Sequence, residues 1–216
     1  MEQKTALIIG ASGLTGQVLL QALLADTSYS LVTIYLREQV SFNHPKLQKK
    51  IIDYEKLDTA VVADDVFCCL GTTIKKAGSQ MAFRKVDLIY PQKVAELQRN
   101  AGSRKFLLIS AVGANIHAPF FYSRIKGEVE RAIIALDYPC TCIFRPSLII
   151  GERSEHRAGE SAAITFAKVI EPAILGPFKK YRPVSALSIA KAMQYAAHNY
   201  TAGVHIIPSD EIKKFE

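Results

Sequence analysis

Tyr122 and Lys126 stand four residues apart in the stretch YSRIKGEVE, and Ser110 precedes them by a short interval. On a helix, side chains four residues apart project from the same side, so a phenol and an ammonium would be neighbours. A phenol with its ordinary pKa of about 10 donates protons poorly at neutral pH, and a nearby ammonium favours the phenolate. A serine hydroxyl can hydrogen-bond a carbonyl oxygen. Together the three side chains could hold a carbonyl group and protonate the alkoxide that its reduction produces.

The same pattern also has a simpler explanation. Apolar residues recur at helical spacing between 121 and 136, which predicts an amphipathic helix over 120–136. Such a helix can carry a tyrosine and a lysine on its flank without performing any chemistry, and the spacing alone does not separate the two explanations. The decision depends on whether the surrounding elements bring the serine, the tyrosine and the lysine to one place.

Apolar, strand-like segments alternate with helical patterns from one end of the chain to the other. The predicted strands are 5–10, 31–36, 47–54, 65–71, 105–110, 140–146 and 204–209. The predicted helices are 17–26, 79–102 with a kink near Pro91 and an end at Gly102, 120–136, a segment around 160–171, and 186–199. Continuous apolar strands separated by helices are typical of a parallel sheet covered on both faces. We therefore predict an α/β fold, a Rossmann-type doubly wound parallel sheet of about seven strands with helices on both faces.

Length and composition predict one globular domain covering residues 1–216, because the 216 residues are 49% hydrophobic and 22% charged. The part from 151 to 216 is too short for an independent domain of typical size and should lean on the sheet as a substrate-side segment. No apolar run reaches the ~18 residues of a membrane span, and the N-terminus has no signal-peptide pattern. We therefore expect a cytoplasmic location and no membrane span.

Neither the cysteines nor the basic residues indicate a metal or a nucleic acid. Cys68, Cys69, Cys140 and Cys142 lie in apolar, strand-like runs, where buried reduced thiols are the usual outcome. Their spacing fits no zinc motif, so no metal site is predicted. The formal net charge is +7, but the lysines and arginines are scattered and lack an aromatic platform. A basic surface of this kind could instead help to hold an anionic cofactor.

The first predicted strand runs into the glycine-rich turn GASGLTG, which a helix follows. In a doubly wound sheet this turn places a dinucleotide pyrophosphate on the helix N-terminus, and a side chain there would collide with the phosphates. A glycine-rich turn without a ligand is the alternative, but the position directly between strand and helix favours the dinucleotide. No G-K-[ST] follows, which excludes a phosphate loop. The residues predicted to surround the pyrophosphate are Gly10, Ser12, Gly13, Leu14, Thr15 and Gly16.

The end of the second predicted strand indicates which dinucleotide is bound. An arginine there accepts the 2′-phosphate of NADP, whereas an acidic residue holds the ribose of NAD. Arg37 occupies this position, so NADP(H) is favoured over NAD(H), although Glu38 could serve NAD and Arg37 could be a solvated surface residue. Asp53 and Tyr54 end the third strand and are included in the site. Asp53 could accept from the adenine amino group or belong to a surface turn, and neither explanation is preferred.

Ser110 closes the fifth predicted strand and Tyr122 opens the helix that follows. Strand ends and helix starts both lie at the carboxyl edge of a parallel sheet, where ligands bind. Ser110, Tyr122 and Lys126 should therefore converge beside the place to which the glycine turn delivers a nicotinamide. Lysine at this position could also hold the nicotinamide ribose.

Several segments give the chain a specific resemblance to the short-chain dehydrogenase/reductase superfamily of the atypical or extended type. Within it, the chain closely resembles the Tat-interacting-protein group of NADP-binding proteins and their bacterial relatives. The segments that carry the resemblance are GASGLTG, DDVFCCLGTT, FRKVD, YSRIKGEVE, FRPSLIIGERSEHRAGE and PVSALSIAKAM, which together span most of the chain.

The resemblance implies further positions and two departures. It implies that Leu70, Gly71 and Thr72 lie along the cofactor, and that Pro146 and Leu148 belong to a loop at its nicotinamide end. Asp87 stands where many extended reductases carry an asparagine of the proton relay. The segment after 151 is also short, which argues against an epimerase acting on a bulky nucleotide sugar.

These observations lead to two functional hypotheses. The first is an NADP(H)-dependent oxidoreductase that acts on a small-molecule carbonyl or alcohol, with Tyr122 as general acid, Lys126 as the cation that favours its phenolate and Ser110 as the carbonyl holder. The loop after Ser110 and the segment 151–182 would build the substrate pocket. The second is an NADP(H)-binding, redox-sensing regulator with little or no turnover, which would report cofactor occupancy to a protein partner; the resemblance supports it because members of that group are regarded as regulators.

Overall fold

The computed structural model describes residues 3–151 and 181–216. Its strands are β1 (Lys4–Ile9), β2 (Tyr29–Leu36), β3 (Leu47–Ile51), β4 (Asp65–Cys68), β5 (Lys105–Ile109), β6 (Cys140–Arg145), β7 (Ile149–Ile150), β8 (Val184–Ser185) and β9 (Gly203–Pro208). Seven of them form one sheet in the order β3-β2-β1-β4-β5-β6-β9, and every neighbouring pair is parallel. The predicted doubly wound parallel sheet is confirmed. The short strands β7 and β8, which pair separately in parallel, were not predicted.

Helices flank this sheet on both faces. They are α1 (Leu14–Ala25), α2 (Ile74–Ala77), α3 (Gln80–Arg84), α4 (Tyr90–Asn100), α5 (Phe121–Ile134), α6 (Ala186–Asn199) and α7 (Ser209–Ile212). A π-helical turn, Lys85–Ile89, joins α3 to α4, and a 3₁₀ turn, Lys213–Phe215, follows α7.

An apolar cluster lies on each face of the sheet. On one face, Leu23 of α1 and Met193 of α6 pack in a cluster with Ile8 of β1. On the other face, Val129 of α5 belongs to a cluster with Leu7 of β1. Because consecutive strand residues point to opposite faces, one apolar strand supplies both clusters. The central strands are therefore fixed from both sides, and their carboxyl ends are held in a constant position.

The third strand is shorter than the sequence predicts. β3 ends at Ile51 because a turn begins at Asp53, whose Oδ1 accepts the Glu55 N–H at 2.9 Å. The Asp53 carbonyl accepts the Lys56 N–H at 3.1 Å in the same turn. The Asp53 carboxylate thus has a local structural use, as expected for an aspartate in a turn.

The helix predicted over 79–102 changes its hydrogen-bonding pattern just before Pro91. Pro91 has no N–H to donate to the carbonyl of Asp87, four residues earlier, and its ring crowds that carbonyl. The chain adopts a π-helical turn here, in which the Tyr90 N–H donates to the Lys85 carbonyl, five residues back. The irregularity predicted near Pro91 is therefore this turn, and Asp87 lies in the middle of it.

Some predictions fall outside the described residues. These are the helix expected around 160–171 and most of the pocket-forming segment 151–182, so the single-domain organisation stays a prediction. None of the described helices is both long and apolar enough to cross a membrane. All four cysteines are free thiols, with Cys69 half-buried and the other three buried.

Candidate active site

A cavity of about 490 Å³ opens at the carboxyl edge of the sheet, at the ends of β1, β4 and β5. The chain order of the strands reverses between β1 and β4, which is where doubly wound sheets bind their ligands. The described residues that line this cavity are Ser12, Gly13, Leu14, Thr15, Gln17, Cys69, Leu70, Gly71, Thr72, Thr73, Lys76, Asp87, Ile109, Ser110, Tyr122, Lys126 and Ile149. The glycine turn and the predicted Ser–Tyr–Lys group thus share one cavity.

The three glycines of the turn have different roles. Gly10 has a φ of +81°, and a Cβ there would lie 2.5 Å from the Cys69 backbone. A Cβ on Gly16 would lie only 2.1 Å from the Gly10 carbonyl oxygen. Both glycines are therefore required by the turn itself. A Cβ on Gly13 would meet only the Gly10 carbonyl oxygen, at 3.3 Å, so this glycine keeps the space in front of α1 open.

The N-terminus of α1 faces this open space without a competing anion. Gly13 is the N-cap residue, and it offers no side chain to the first N–H groups of the helix. The first turn also contains no acidic residue. Unpaired N–H groups and the positive end of the helix dipole favour a phosphate at this point.

Lys126 and Asp87 form a buried ion pair in the wall of the cavity. The distance between Lys126 Nζ and Asp87 Oδ1 is 2.7 Å, and the two residues are only 5% and 2% exposed. Asp87 Oδ2 accepts the Thr72 N–H at 2.9 Å, which ties the turn after β4 to the π-helical turn. Burial by itself would lower the pKa of Lys126, but the interactions with Asp87, Tyr122 and Cys68 together outweigh burial and raise it. Lys126 is therefore a charged ammonium.

Tyr122 lies one helical turn before Lys126 at the mouth of the cavity, and it is 39% exposed. Its ring packs against Phe83 of α3 with centroids 5.7 Å apart. Lys126 Nζ lies 6.0 Å from the centre of the Tyr122 ring. The Tyr122 hydroxyl makes no hydrogen bond to any residue in the described part of the chain, so its proton is available to a ligand.

Ser110 is held by a buried carboxylate that the sequence did not point to. Its Oγ donates to Glu130 Oε1 at 2.5 Å, and Glu130 in turn accepts from Arg145 Nε at 3.0 Å and from Arg145 Nη2 at 2.5 Å. The hydrogen bond that Arg145 donates to Glu130 raises the pKa of the guanidinium above its ordinary value. A serine hydroxyl can donate one hydrogen bond, and Ser110 donates it to Glu130. In this arrangement Ser110 can accept a hydrogen bond from a ligand but cannot donate one.

Glu130→Ala is expected to destabilise the fold by about 2–3 kcal/mol, because it leaves Arg145 and Ser110 without their buried partner. The free energy of unfolding from urea titrations, followed by circular dichroism, measures the effect. Glu128→Ala is the matched control on the same helix, since Glu128 forms a more exposed pair with Arg84 at 2.7 Å. An exposed pair contributes at most about 1 kcal/mol. Equal losses in the two variants would show that Glu130 has no special structural role.

The residues predicted for the adenosine end lie at the ends of β2 and β3, outside the lining of the cavity. Arg37 follows β2, is exposed, and has no hydrogen-bond or ion-pair partner within residues 3–151 and 181–216. The Tyr54 ring is buried and stacks on Tyr90 with centroids 4.9 Å apart. Burial raises the pKa of Tyr54, and the nearby Arg37 guanidinium partly offsets this rise. Arg37 and Tyr54 are thus neighbours, whereas Asp53 is engaged in its turn.

The loop predicted to lie at the nicotinamide end lines the cavity with a different residue from the two predicted. Pro146 is buried, and its carbonyl accepts the Val112 N–H at 2.9 Å. Leu148 is exposed, and neither of these two residues lines the cavity, whereas the next residue, Ile149, does. Lys76 of α2 also lines the cavity and was not predicted. The sequence could have indicated Lys76, because it stands three residues after the turn LGTT, which is predicted to lie along the cofactor.

The arrangement favours proton transfer over nucleophilic or metal chemistry. Cys69 lines the cavity, but burial raises the pKa of its thiol well above the ordinary value, so it is a poor nucleophile. Among the residues described, no group of three or more His, Cys, Asp or Glu side chains could hold a metal ion. A free phenol, a charged ammonium and a serine oxygen remain at one end of the cavity, and the open N-terminus of α1 at the other.

Comparison with known proteins shows relatives of similar length. HTATIP2 from Rattus norvegicus is 39% identical over 173 residues, which cover 77% of this chain and 71% of that protein. The mitochondrial protein FMP52-1 from Scheffersomyces stipitis is 34% identical over 159 residues, or 69% of each chain. FMP52 from Meyerozyma guilliermondii is 33% identical over 204 residues, covering 89% of this chain and 84% of that protein. No family model matches the sequence.

Solved structures share the fold at low sequence identity. UDP-glucuronic acid 4-epimerase from Bacillus cereus, in complex with NAD, has a TM-score of 0.70 at 16% identity and covers 96% of this chain and 78% of its own. The human epimerase family protein SDR39U1 with NADPH has a TM-score of 0.64 at 17% identity, with coverages of 96% and 77%. These likenesses concern the fold alone, and the relatives above establish the family. The predicted resemblance to the Tat-interacting-protein group is confirmed: the chain belongs to the family of HTATIP2 and the fungal FMP52 proteins, and it has a Rossmann-type fold.

Proposed function

We propose that this chain is an NADP(H)-dependent oxidoreductase that reduces a carbonyl group on a small or modest substrate. The observation that carries the proposal is the cavity that joins the open N-terminus of α1 to Ser110, Tyr122 and the ion-paired Lys126. One end of this cavity suits an anion, and the other end suits a proton transfer. A dinucleotide-dependent carbonyl reduction needs both.

The residues present fit a dinucleotide. Gly13 leaves space in front of the α1 N-terminus for the pyrophosphate, and the Ser12 and Thr15 side chains lie beside that space. Across the cavity, the turn Leu70–Thr72 would form the opposite wall, and Lys126 would hold ribose hydroxyls. When bound, NADP(H) supplies the hydride for the carbonyl carbon.

Each side chain at the reacting end then takes part in the proton transfer. Tyr122 gives its hydroxyl proton to the substrate oxygen as negative charge develops there. Lys126, kept charged by Asp87, stabilises the phenolate that remains. Ser110 accepts a hydrogen bond from the alcohol form of the substrate in the observed arrangement. It can donate to the carbonyl form only after its proton turns away from Glu130.

The alternative is an NADP(H)-binding regulatory protein with little or no turnover, which reports cofactor occupancy to a protein partner. One structural observation favours it: Lys126 and Ser110 are both engaged by carboxylates of the protein itself. In addition, the names of the relatives HTATIP2 and FMP52 do not describe an enzyme. Under this alternative the Ser–Tyr–Lys group would only hold the cofactor.

A carbonyl panel tests the proposed function directly. The full chain is mixed with NADPH and with aliphatic aldehydes, aromatic aldehydes, ketones and quinones in turn, and consumption of NADPH is followed. The corresponding alcohols are tested with NADP⁺. Turnover of at least one couple, absent from heat-denatured protein, supports the oxidoreductase. If the chain binds NADPH but turns over none of these compounds, the regulatory protein is favoured instead.

Arg37→Ala is expected to weaken NADPH binding about 10-fold and to leave NADH binding unchanged, because only NADPH carries the 2′-phosphate that a guanidinium pairs with. Fluorescence titration of both cofactors measures the two affinities. Arg104→Ala is the matched control, since Arg104 is exposed directly before β5 at the opposite edge of the sheet. Equal affinity of the wild type for NADPH and NADH would remove the basis for the preference.

The cytoplasmic location also stays a prediction. The fungal relatives, among them those from Scheffersomyces stipitis, Candida albicans and Meyerozyma guilliermondii, are named as mitochondrial proteins. Fractionation of cells that produce the tagged full chain would distinguish a cytoplasmic from an organellar location.

A further inference from the structure

Asp87 is the one carboxylate among the described residues that line the cavity. It is 2% exposed and lies 2.7 Å from Lys126 Nζ, so its negative charge and the positive charge of Lys126 sit in the same buried wall. The role given to Lys126 above requires only an ammonium. Asp87 keeps Lys126 charged, but it also cancels the positive charge that this ammonium would otherwise give to the wall of the cavity.

We propose that Asp87 sets the preference of the site for oxidised or reduced cofactor, by making the nicotinamide end of the cavity electrically neutral. The inference rests on the proposed binding of NADP(H), but it does not require turnover. NADP⁺ and NADPH differ by one positive charge, which is on the nicotinamide ring, while their phosphates are the same. A charge in the wall beside that ring therefore acts on one form of the cofactor and not on the other.

The charges of Lys126 and Asp87 determine which form of the cofactor is favoured. An ammonium without a partner would repel the oxidised ring and so favour NADPH. With Asp87 beside it, the pair has no net charge and this bias disappears. Because both groups are buried, solvent and salt screen them weakly, and one net charge within several ångströms should change relative affinity by roughly 10–30-fold.

Other titratable groups near the pair leave this balance unchanged. Tyr122 on α5 and Cys68 on β4 are the neighbours that act on Lys126 besides Asp87. Burial raises the pKa of Cys68 to about 12, so its thiol is neutral. Lys76 of α2 is exposed, lines the cavity beside the turn after β4 and keeps the same charge in every variant compared below. Glu130, also on α5, is compensated by Arg145.

A set of charge variants of the full chain tests the inference through binding alone. Asp87→Asn has nearly the same shape as the wild type and gives the wall a net charge of +1. Lys126→Met gives −1, and the double variant restores zero. Dissociation constants for NADP⁺ and NADPH are measured by isothermal titration calorimetry at pH 6, 7 and 8, and the ratio of the two is compared. If a substitution removes a contact that both cofactor forms make, such as one to the ribose, both dissociation constants change by the same factor and their ratio does not change.

The ratio of the NADP⁺ to the NADPH dissociation constant should rise about 10-fold in Asp87→Asn at pH 6, where Lys126 is protonated. It should fall in Lys126→Met at pH 8, and return to within about 2-fold of the wild type in the double variant. Glu128→Gln, which removes a carboxylate of the outward pair with Arg84 on the same helix, should leave the ratio unchanged.

The measurements distinguish a failure of this inference from a failure of the proposed cofactor binding. If both cofactor forms bind but the ratio moves in neither single variant, Asp87 does not set the preference, and the proposed cofactor binding stands. If neither form binds to the wild type, the proposed function fails and this inference fails with it. Lys126→Met reports the same charge effect with the opposite sign, so an Asp87→Asn protein that does not fold still leaves a decisive measurement.

Discussion

Tyr122→Phe is expected to lower the turnover of any carbonyl compound that the wild-type protein accepts by roughly 10²–10⁴-fold, the usual contribution of a general acid. The substitution keeps the ring that packs against Phe83 and removes only the hydroxyl. Because that hydroxyl makes no hydrogen bond to any other described residue, stability and NADPH affinity should change little. Steady-state kinetics on the best compound of the panel, together with a fluorescence titration of NADPH, separate the two effects.

Tyr195→Phe is the matched control for this loss. Tyr195 is a half-exposed tyrosine on α6, and its ring contacts Tyr200 and Phe215, none of which lines the cavity. Removal of its hydroxyl should leave turnover unchanged. A fully active Tyr122→Phe protein would mean that another group supplies the proton, and the role assigned to Tyr122 would be wrong.

The position of the candidate site could be predicted because it depends on short stretches of sequence. An apolar strand, a glycine turn and a helix follow one another without interruption between Lys4 and Ala25, so the open helix N-terminus is encoded locally. The four-residue spacing of Tyr122 and Lys126 likewise fixes both side chains on one helix face. The parallel sheet then places these local units at one edge, since all parallel strands point the same way.

The charge partners within the site could not be predicted in the same way. Pro91 indicates an irregular turn at Asp87, but the Asp87 carboxylate meets Lys126 only because α5 packs against that turn. Glu130 looks like a surface residue of an amphipathic helix, one turn beyond Lys126. Its contact with Ser110 and Arg145 appears only when α5 packs across the ends of β5 and β6. Contacts of this kind depend on how helices and strands pack against one another, which the spacing of residues within one helix or strand does not show.

Gly13→Val is expected to reduce NADPH affinity by roughly 100-fold or more while leaving a folded protein. The valine side chain would occupy the space in front of α1 that the pyrophosphate needs, and a loss of about 3 kcal/mol corresponds to that factor. Gly13 has a φ of −78°, which any residue can adopt, and its added Cβ would approach only the Gly10 carbonyl oxygen. The fold should therefore accept the change, as thermal unfolding followed by circular dichroism would show.

Gly16→Ala, three residues further along, provides the contrast. Its added Cβ would lie 2.1 Å from the Gly10 carbonyl oxygen, so this smaller substitution should damage the turn and lower the unfolding temperature. A folded Gly13→Val protein that has lost NADPH would thus separate the ligand space from the structure of the turn. If Gly13→Val still binds NADPH at nearly wild-type affinity, the pyrophosphate does not lie on the N-terminus of α1, and the placement of the cofactor has to be abandoned.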